Sequence, residues 1–138
     1  MQPELAKLII GFESFIHLGD YADTSTVIGY MQHCHWLIIP SRMESIPLIL
    51  VDAIQMRLPC IVTEVGDMGK IVRRFGLGRV IPAAEPAMLA EAIQQVLDTE
   101  RAPSTGAWHE ANQLFDLNLS AAICVENLEK CLLRKSKK

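Results

Sequence analysis

The chain has 138 residues, which is enough for one domain with a substantial hydrophobic core. Half of the residues are hydrophobic and 21% are charged, a balance that excludes an intrinsically disordered chain. The net charge of −3 excludes a general attraction to nucleic acid, and no apolar run reaches the roughly 20 residues that cross a bilayer.

In the first third of the chain, the spacing of apolar residues predicts a helix over 3–10. A short strand over 15–18 follows and is closed by Gly19-Asp20. Asp23, Thr24 and Ser25 are N-cap residue types, so they predict the start of a helix that runs to about His33.

The middle of the chain alternates between strands and helices. The continuous apolar run 36–39 predicts a strand buried on both faces, and a helix follows over about 46–56 with Pro47 in its first turn. Strands are predicted over 60–63 and 79–81, separated by a short helix over 69–75 that ends near Gly76.

The last part of the chain is predicted to be helical. One apolar face marks a helix from Glu85 to about Leu97: Leu89, Ala92, Ile93 and Val96. A linker over 101–106, helices over 107–115 and 119–133, and a frayed basic tail over 134–138 complete the chain. Together these elements predict an α/β fold with a mainly parallel, Rossmann-like sheet and flanking helices.

The cysteines show no metal-binding or disulfide spacing, and nothing at the N-terminus resembles a signal peptide. We therefore expect four reduced, mostly buried thiols in a cytoplasmic protein: Cys34, Cys60, Cys124 and Cys131. The last two lie seven residues apart on a predicted helix, which favours a buried stripe. His33-Cys34-His35 fits no standard zinc pattern, so no metal site is expected. Trp36 and Trp108 are expected in the core, and Arg73 and Arg74 on the surface.

Ligands of parallel sheets bind beyond the carboxyl ends of the strands, here segments 19–22, 40–46 and 63–69. Within or near these segments, Glu44 precedes a predicted helix and Asp52 lies about two turns further on. Free N–H groups at that helix start would stabilise a diphosphate, and carboxylates accept hydrogen bonds from sugar hydroxyls. Taken alone, however, both acids are better explained as solvated surface residues.

The segment Pro-Ser-Arg-Met-Glu-Ser-Ile-Pro at 40–47, with Asp52 after it, resembles the donor-binding motif of family 4 retaining glycosyltransferases of the GT-B class. That family shows Pro-Ser-x-x-Glu-Gly-Phe-Pro and then a second acid, with seven residues between the two acids. Four other segments resemble the family in the same order: 15–19, 58–63, 65–72 and 76–97. The resemblance implies a GT-B donor-binding domain over 1–133, incomplete at its N-terminal side.

The resemblance also implies roles for individual residues. Glu44 matches the acid that contacts the transferred sugar, and it is the catalytic candidate. Ser45 and Ile46 match the loop whose backbone faces the sugar and diphosphate. Asp52 matches the acid that holds the ribose hydroxyls, and Gly19 lies where the base is received.

Ser41 and Gly66 belong to the matched motifs and complete the expected donor-binding set. The implied reaction moves a sugar from a nucleoside-diphosphate sugar, UDP- or GDP-type, to an acceptor with retention of configuration. No cofactor, metal ion or covalent enzyme nucleophile is implied. Carbohydrate or cell-envelope glycan biosynthesis is the implied setting.

Several positions depart from the family pattern. Ser45 and Asp67 replace glycines, Asp52 replaces Glu, and Lys70 stands where Glu is usual. Asp67 adds a negative charge near the expected diphosphate, which is unfavourable. The family's Arg and Lys pair and its acceptor-binding domain are not found before Pro3, so this chain alone is expected to be inactive.

In the strand order 3-2-1-4-5-6 of the fold, residues 15–18 and 36–39 correspond to strands 3 and 4, so apolar strand edges are expected. This favours an alternative function: a non-catalytic fragment or split subunit that binds a partner chain, either the missing N-terminal half or a second copy. A nucleotide-sugar epimerase or hydrolase is a further alternative. No nucleic-acid partner is expected, and the basic tail allows at most peripheral contact with the inner face of a membrane.

Overall fold

The computed structural model describes residues 23–97 and 103–135, with the side chains of the last helix described up to Lys130. The chain divides into two compact units, Met1–His33 and Cys34–Lys138. The helix predicted over 3–10, the strand over 15–18 and Gly19 lie outside the described residues.

In the first unit, helix α1 spans Thr24–Met31 and confirms the helix predicted there. Asp23 is its N-cap, and the carboxylate accepts hydrogen bonds from the Thr26 N–H and from the hydroxyls of Ser25 and Thr26. The Ser25 hydroxyl first, and then Thr26, hold the pKa of Asp23 well below its usual range. The cap therefore stays ionised, and α1 begins where the sequence predicts.

The second unit is built on a parallel sheet of three described strands. They are β1 (Leu37–Ile39), β2 (Cys60–Thr63) and β3 (Gly78–Ile81), in the order β1-β2-β3. Cys60 pairs with Leu37 on one side and with Gly78 on the other. All four residues of β2 are buried, as expected for the central strand of a parallel sheet.

Helices join and follow the strands: α2 (Leu48–Met56), α3 (Met68–Phe75), α4 (Pro86–Leu97), α5 (Thr105–Gln113) and α6 (Leu117–Lys135). The predicted face of α4 packs on the sheet, where Ala92 and Val96 join Ile61 and Ile81 in one buried cluster. Helix α3 contacts β2 and β3, and α5 contacts α2 and α3. These elements confirm the predicted α/β fold.

The start of α2 differs from the prediction. Pro47 is the N-cap, with extended backbone, and the helix begins at Leu48 rather than near Ile46. The residue before a proline is disfavoured in helical conformation, which keeps Ile46 outside the helix. Ser45 and Ile46 therefore lie in the loop between β1 and α2.

The prediction that β1 is buried on both faces is wrong. Ile39 is 7% exposed but Ile38 is 39% exposed, because β1 is the edge strand of the described sheet. Trp108 is buried as predicted, whereas Trp36 is only partly buried against the cluster under α4.

The expectation of mostly buried thiols is also wrong among the described cysteines. All three are free, but only Cys60 is buried, while Cys34 and Cys124 are exposed. Every described side chain of α6 is exposed, so Cys124 belongs to no buried stripe. The helix also continues through Lys135, past the predicted start of a frayed tail at 134.

Candidate functional site

The loops that follow β1 and β2 touch at Gly66. A Cβ atom at this position would lie 2.3 Å from the Glu44 carbonyl oxygen and 2.7 Å from Ser45 Cα. Gly66 also has φ +52°, a conformation that residues with a side chain rarely adopt. Three of the residues predicted for the donor site, Glu44, Ser45 and Gly66, are therefore brought together by a contact that only glycine permits.

Thr63 holds the first of these loops against the sheet. Its side chain is 3% exposed, and its hydroxyl donates a 2.6 Å hydrogen bond to the backbone carbonyl of Ser41. The same hydroxyl oxygen lies 3.5 Å from the backbone carbonyl oxygen of Ile39. Ser41, a predicted donor-binding residue, thus supplies a backbone acceptor that fixes the path of the chain toward Glu44. The motif does not predict this role, whose only signal in the sequence is a threonine as the last residue of a predicted strand.

The N-terminus of α2 carries no side-chain cap, and its first residue, Leu48, is 81% exposed. Pro47 makes no side-chain cap hydrogen bond, and the first turn carries no acidic residue. The N–H groups at the start of a helix and its partial positive charge favour an anion there. The Glu44 carboxylate accepts the Ser45 N–H at 3.3 Å, so this exposed acid is folded back on its own loop.

Glu44 and Asp52 flank the helix start symmetrically in sequence, with Leu48, the first residue of α2, midway between them. Glu44 is exposed in the loop, and Asp52 is half-buried in the second turn of α2. Ser45 and Ile46, both exposed, lie in the loop between them. The predicted acids therefore belong to a single loop-helix unit, while Gly19 lies outside the described residues.

The negative charge introduced by Asp67 is neutralised locally. Asp67 occupies the N-cap position of α3 but does not cap it; its carboxylate instead lies 2.8 Å from Lys70 Nζ. The hydrogen bond to Asp67, and then its charge, raise the pKa of Lys70. Two departures from the family pattern thus pair with each other directly after Gly66.

A second ion pair fixes Arg73. Its guanidinium lies 2.8 Å from the Glu64 carboxylate, and both side chains are exposed, as predicted for Arg73. The hydrogen bond and charge of Arg73 lower the pKa of Glu64. Arg74, also exposed, lies with its guanidinium 4.9 Å from the centre of the Phe75 ring. Both arginines are therefore surface residues, as the sequence predicts.

In 23–97 and 103–130, no three His, Cys, Asp or Glu side chains converge in a group that could hold a metal ion. None of the described helices is both long and apolar enough to cross a membrane.

Comparison with known proteins identifies a family. The family model described as Glycosyl transferases group 1 matches residues 1–99. An uncharacterized glycosyltransferase of Methanocaldococcus jannaschii, MJ1178, is 29% identical over 117 residues, covering 85% of this chain and 33% of the relative. The alpha-D-kanosaminyltransferase of Streptomyces kanamyceticus is 24% identical over 106 residues, covering 70% of this chain and 26% of the relative.

The fold has a match among solved structures. Sucrose-phosphate synthase from Thermosynechococcus elongatus superposes with a TM-score of 0.72 at 20% sequence identity. The match covers 96% of this chain and 34% of that protein. The chain therefore has a GT-B fold and spans between a quarter and about a third of the length of these similar proteins.

Proposed function

Because the chain belongs to the group 1 glycosyl transferases, we propose that it binds the nucleoside-diphosphate sugar for a retaining glycosyl transfer. One observation carries this proposal. Gly66 lies against Glu44 and Ser45, and these two residues precede the uncapped N-terminus of α2. The contact keeps a backbone surface, rather than bulky side chains, at the carboxyl edge of the sheet where ligands of such folds bind.

Each part of the loop-helix unit has a proposed task. The diphosphate accepts hydrogen bonds from the N–H groups at the start of α2, where the helix charge favours it. Glu44 leaves the Ser45 N–H and accepts a hydrogen bond from a sugar hydroxyl. Asp52 accepts hydrogen bonds from the ribose hydroxyls. Ser41 takes part through its backbone, since its carbonyl is held by Thr63.

The contribution of this chain to the reaction is electrostatic. As the glycosidic bond to the diphosphate breaks, negative charge develops on the leaving group, and the N–H groups at the start of α2 stabilise it. Ser45 and Ile46 present their backbone to the transferred sugar. A UDP- or GDP-type donor, a cytoplasmic location and a role in glycan biosynthesis remain predictions from the resemblance.

Calorimetric titration of the chain with UDP, GDP, ADP and their common sugar conjugates tests donor binding. We expect one nucleotide series to saturate and the double variant Glu44→Gln, Asp52→Asn to weaken its binding by at least about tenfold, because two hydrogen-bond acceptors lose their charge. The matched control is Glu110→Gln with Glu129→Gln, two exposed acids on α5 and α6. A folded chain that binds none of these nucleotides would contradict the proposal.

A second function is favoured by α6. Large apolar side chains along this helix are exposed: Leu117, Leu119, Ile123, Val125 and Leu128. Exposed apolar patches on folded proteins mark interaction surfaces. We propose as an alternative that the chain is an interaction module whose α6 binds a partner chain supplying the rest of the enzyme, or a second copy.

The oligomeric state tests one form of this alternative. Sedimentation of the chain over a wide concentration range is expected to show dimers that Leu119→Glu with Ile123→Glu converts to monomers. The control places the same charges at polar positions of the helix, Asn118→Glu with Asn127→Glu. A stable monomer at all concentrations would exclude pairing with a second copy and leave only a different partner chain.

A further inference from the structure

A small cavity lies at the carboxyl ends of the described strands, beside the proposed donor site. It has a volume of about 150 Å³ and is lined by Pro40 after β1, Ile81 and Pro82 at the end of β3, and Leu89 of α4. None of the residues predicted to bind the donor lines it. Its wall is mainly apolar, and its volume is close to that of a cavity that holds a benzene-sized group.

Two side chains of opposite charge, Arg42 and Glu85, also line this cavity. Both are exposed, and neither forms an ion pair with any residue in the described ranges. By contrast, Glu64 and Arg73 on this side of the sheet form an ion pair at 2.8 Å. Arg42 and Glu85 therefore place a positive and a negative side chain, neither paired with another described residue, at the edge of one apolar cavity.

The backbone that carries these two charges is held in place. Thr63 donates to the carbonyl of Ser41, the residue before Arg42. The Glu85 carbonyl accepts the Leu89 N–H at 3.1 Å, which anchors it to the first turn of α4. Because the backbone is fixed on both sides, the charged groups can reach a ligand by side-chain rotation alone.

We propose that this cavity binds a free α-amino acid with an aliphatic side chain of about the size of leucine. The Arg42 guanidinium would bind the carboxylate through paired hydrogen bonds, and the Glu85 carboxylate would accept hydrogen bonds from the ammonium group. The aliphatic side chain would contact Pro40, Ile81 and Leu89. Glu85 would repel a simple anion and Arg42 would repel a simple cation, so a zwitterion is favoured over either.

Titration of the 138-residue chain with L-leucine, followed by NMR or calorimetry, tests this proposal. We expect saturation within about 10 mM, as for a small ligand held by a few contacts. Three probes each lack one part of the ligand: 4-methylpentanoate has no ammonium, isoamylamine has no carboxylate, and glycine has no aliphatic group. Each is expected to bind at least about tenfold more weakly than leucine.

Arg42→Gln and Glu85→Gln are each expected to weaken leucine binding by at least about tenfold. Both residues are exposed, so both variants should fold, which circular dichroism would verify. Arg79→Gln is the matched control, because Arg79 is an exposed arginine of β3 that does not line this cavity. Absence of saturation by leucine, equal binding of 4-methylpentanoate, or no effect of either substitution would each overturn the proposal.

This inference does not depend on donor binding. The Glu44→Gln, Asp52→Asn variant should bind leucine as the unaltered chain does, since neither residue lines the cavity. If the unaltered chain binds leucine but none of the nucleotides, the proposed function is contradicted and the amino-acid site is not. Loss of leucine binding in that variant would instead contradict a separate amino-acid site.

Discussion

The hydroxyl of Thr63 donates to the carbonyl of Ser41 and so joins the end of β2 to the loop that leaves β1. Thr63→Val keeps the shape of the side chain but removes the donor, leaving a partly buried carbonyl without its partner. We expect the free energy of unfolding to fall by about 1–3 kcal/mol. Chemical denaturation of both proteins measures the change.

The same substitution should loosen the loop, which a second measurement can separate from lost stability. Arg42 is exposed in that loop, so trypsin is expected to cleave after it faster in Thr63→Val than in the unaltered chain. Thr63→Ser is the control, because it loses a methyl group but keeps the hydroxyl. Equal cleavage rates at Arg42 in the Val and Ser variants would show that the hydrogen bond does not hold the loop.

Substitutions at three glycines distinguish the cost of steric crowding from the cost of backbone strain. Gly66 has a positive φ and no room for a Cβ, whereas Gly76 has a positive φ of +61° with open space around it. Gly66→Ala should therefore lower the free energy of unfolding by more than about 2 kcal/mol, and Gly76→Ala by only about 1 kcal/mol. Gly106 lies in α5 with open space, so Gly106→Ala should be stabilising. Any other order of the three unfolding midpoints would contradict this interpretation.

Asp67 is expected to oppose donor binding. In the native chain, Lys70 Nζ lies 2.8 Å from the Asp67 carboxylate. Asp67→Asn removes the negative charge and also frees Lys70 to approach a diphosphate. We expect the affinity for the bound nucleotide to increase by a few-fold at low salt, with the difference lost at about 1 M salt, where charges are screened over a few ångströms. Glu129→Gln on α6 changes the net charge equally and is the control. Unchanged affinity at low salt would place the diphosphate away from α3.

The cysteines should differ sharply in reactivity. Burial raises the pKa of the Cys60 thiol to about 12, so almost no thiolate is present near neutral pH. Cys34 and Cys124 are exposed and should react with iodoacetamide at pH 8, whereas Cys60 should react only when the protein unfolds. Peptide mass spectrometry after timed labelling distinguishes the sites. Rapid labelling of Cys60 in the folded chain would contradict its burial.

The raised pKa of Cys60 also predicts a pH dependence. The unfolded thiol ionises near pH 9, whereas the folded thiol stays neutral until about pH 12. The contribution of Cys60 to the free energy of unfolding is therefore fully present below pH 9 and is lost as the pH rises toward 12. The loss of stability with pH in this window should be smaller in Cys60→Ala, which has no thiol to ionise.

The fold could be predicted where local patterns decide it. The strand over 60–63 has the predicted bounds, because Pro59 stops the preceding helix and a short run rich in β-branched residues follows it. The start of α2 lies two residues later than predicted. Proline is tolerated in the first turn of a helix, but it disfavours helical backbone in the residue before it, here Ile46. The exposure of Ile38 depends on where β1 lies in the sheet, which its own residues do not specify.

The candidate site was predicted only as a set of residues, not as contacts. The motif identified Glu44, Ser45 and Gly66, but their mutual contact arises from the meeting of two loops. The Asp67–Lys70 pair agrees with its spacing of three residues at a helix start, where side chains at i and i+3 are neighbours. The exposure of α6 could not be predicted, because the sequence of an apolar helix does not show whether another element covers it.

Cys60 pairs with Leu37 on one side and Gly78 on the other, and a helix separates it from each partner in sequence. Since every described strand pair is parallel, no hairpin can form first and serve as a template for the rest. Each pairing must wait for the closure of a loop that includes a whole helix, which makes such contacts slow to form. The segment from β1 to β3 is therefore expected to become protected from hydrogen exchange in a single kinetic step, rather than strand by strand.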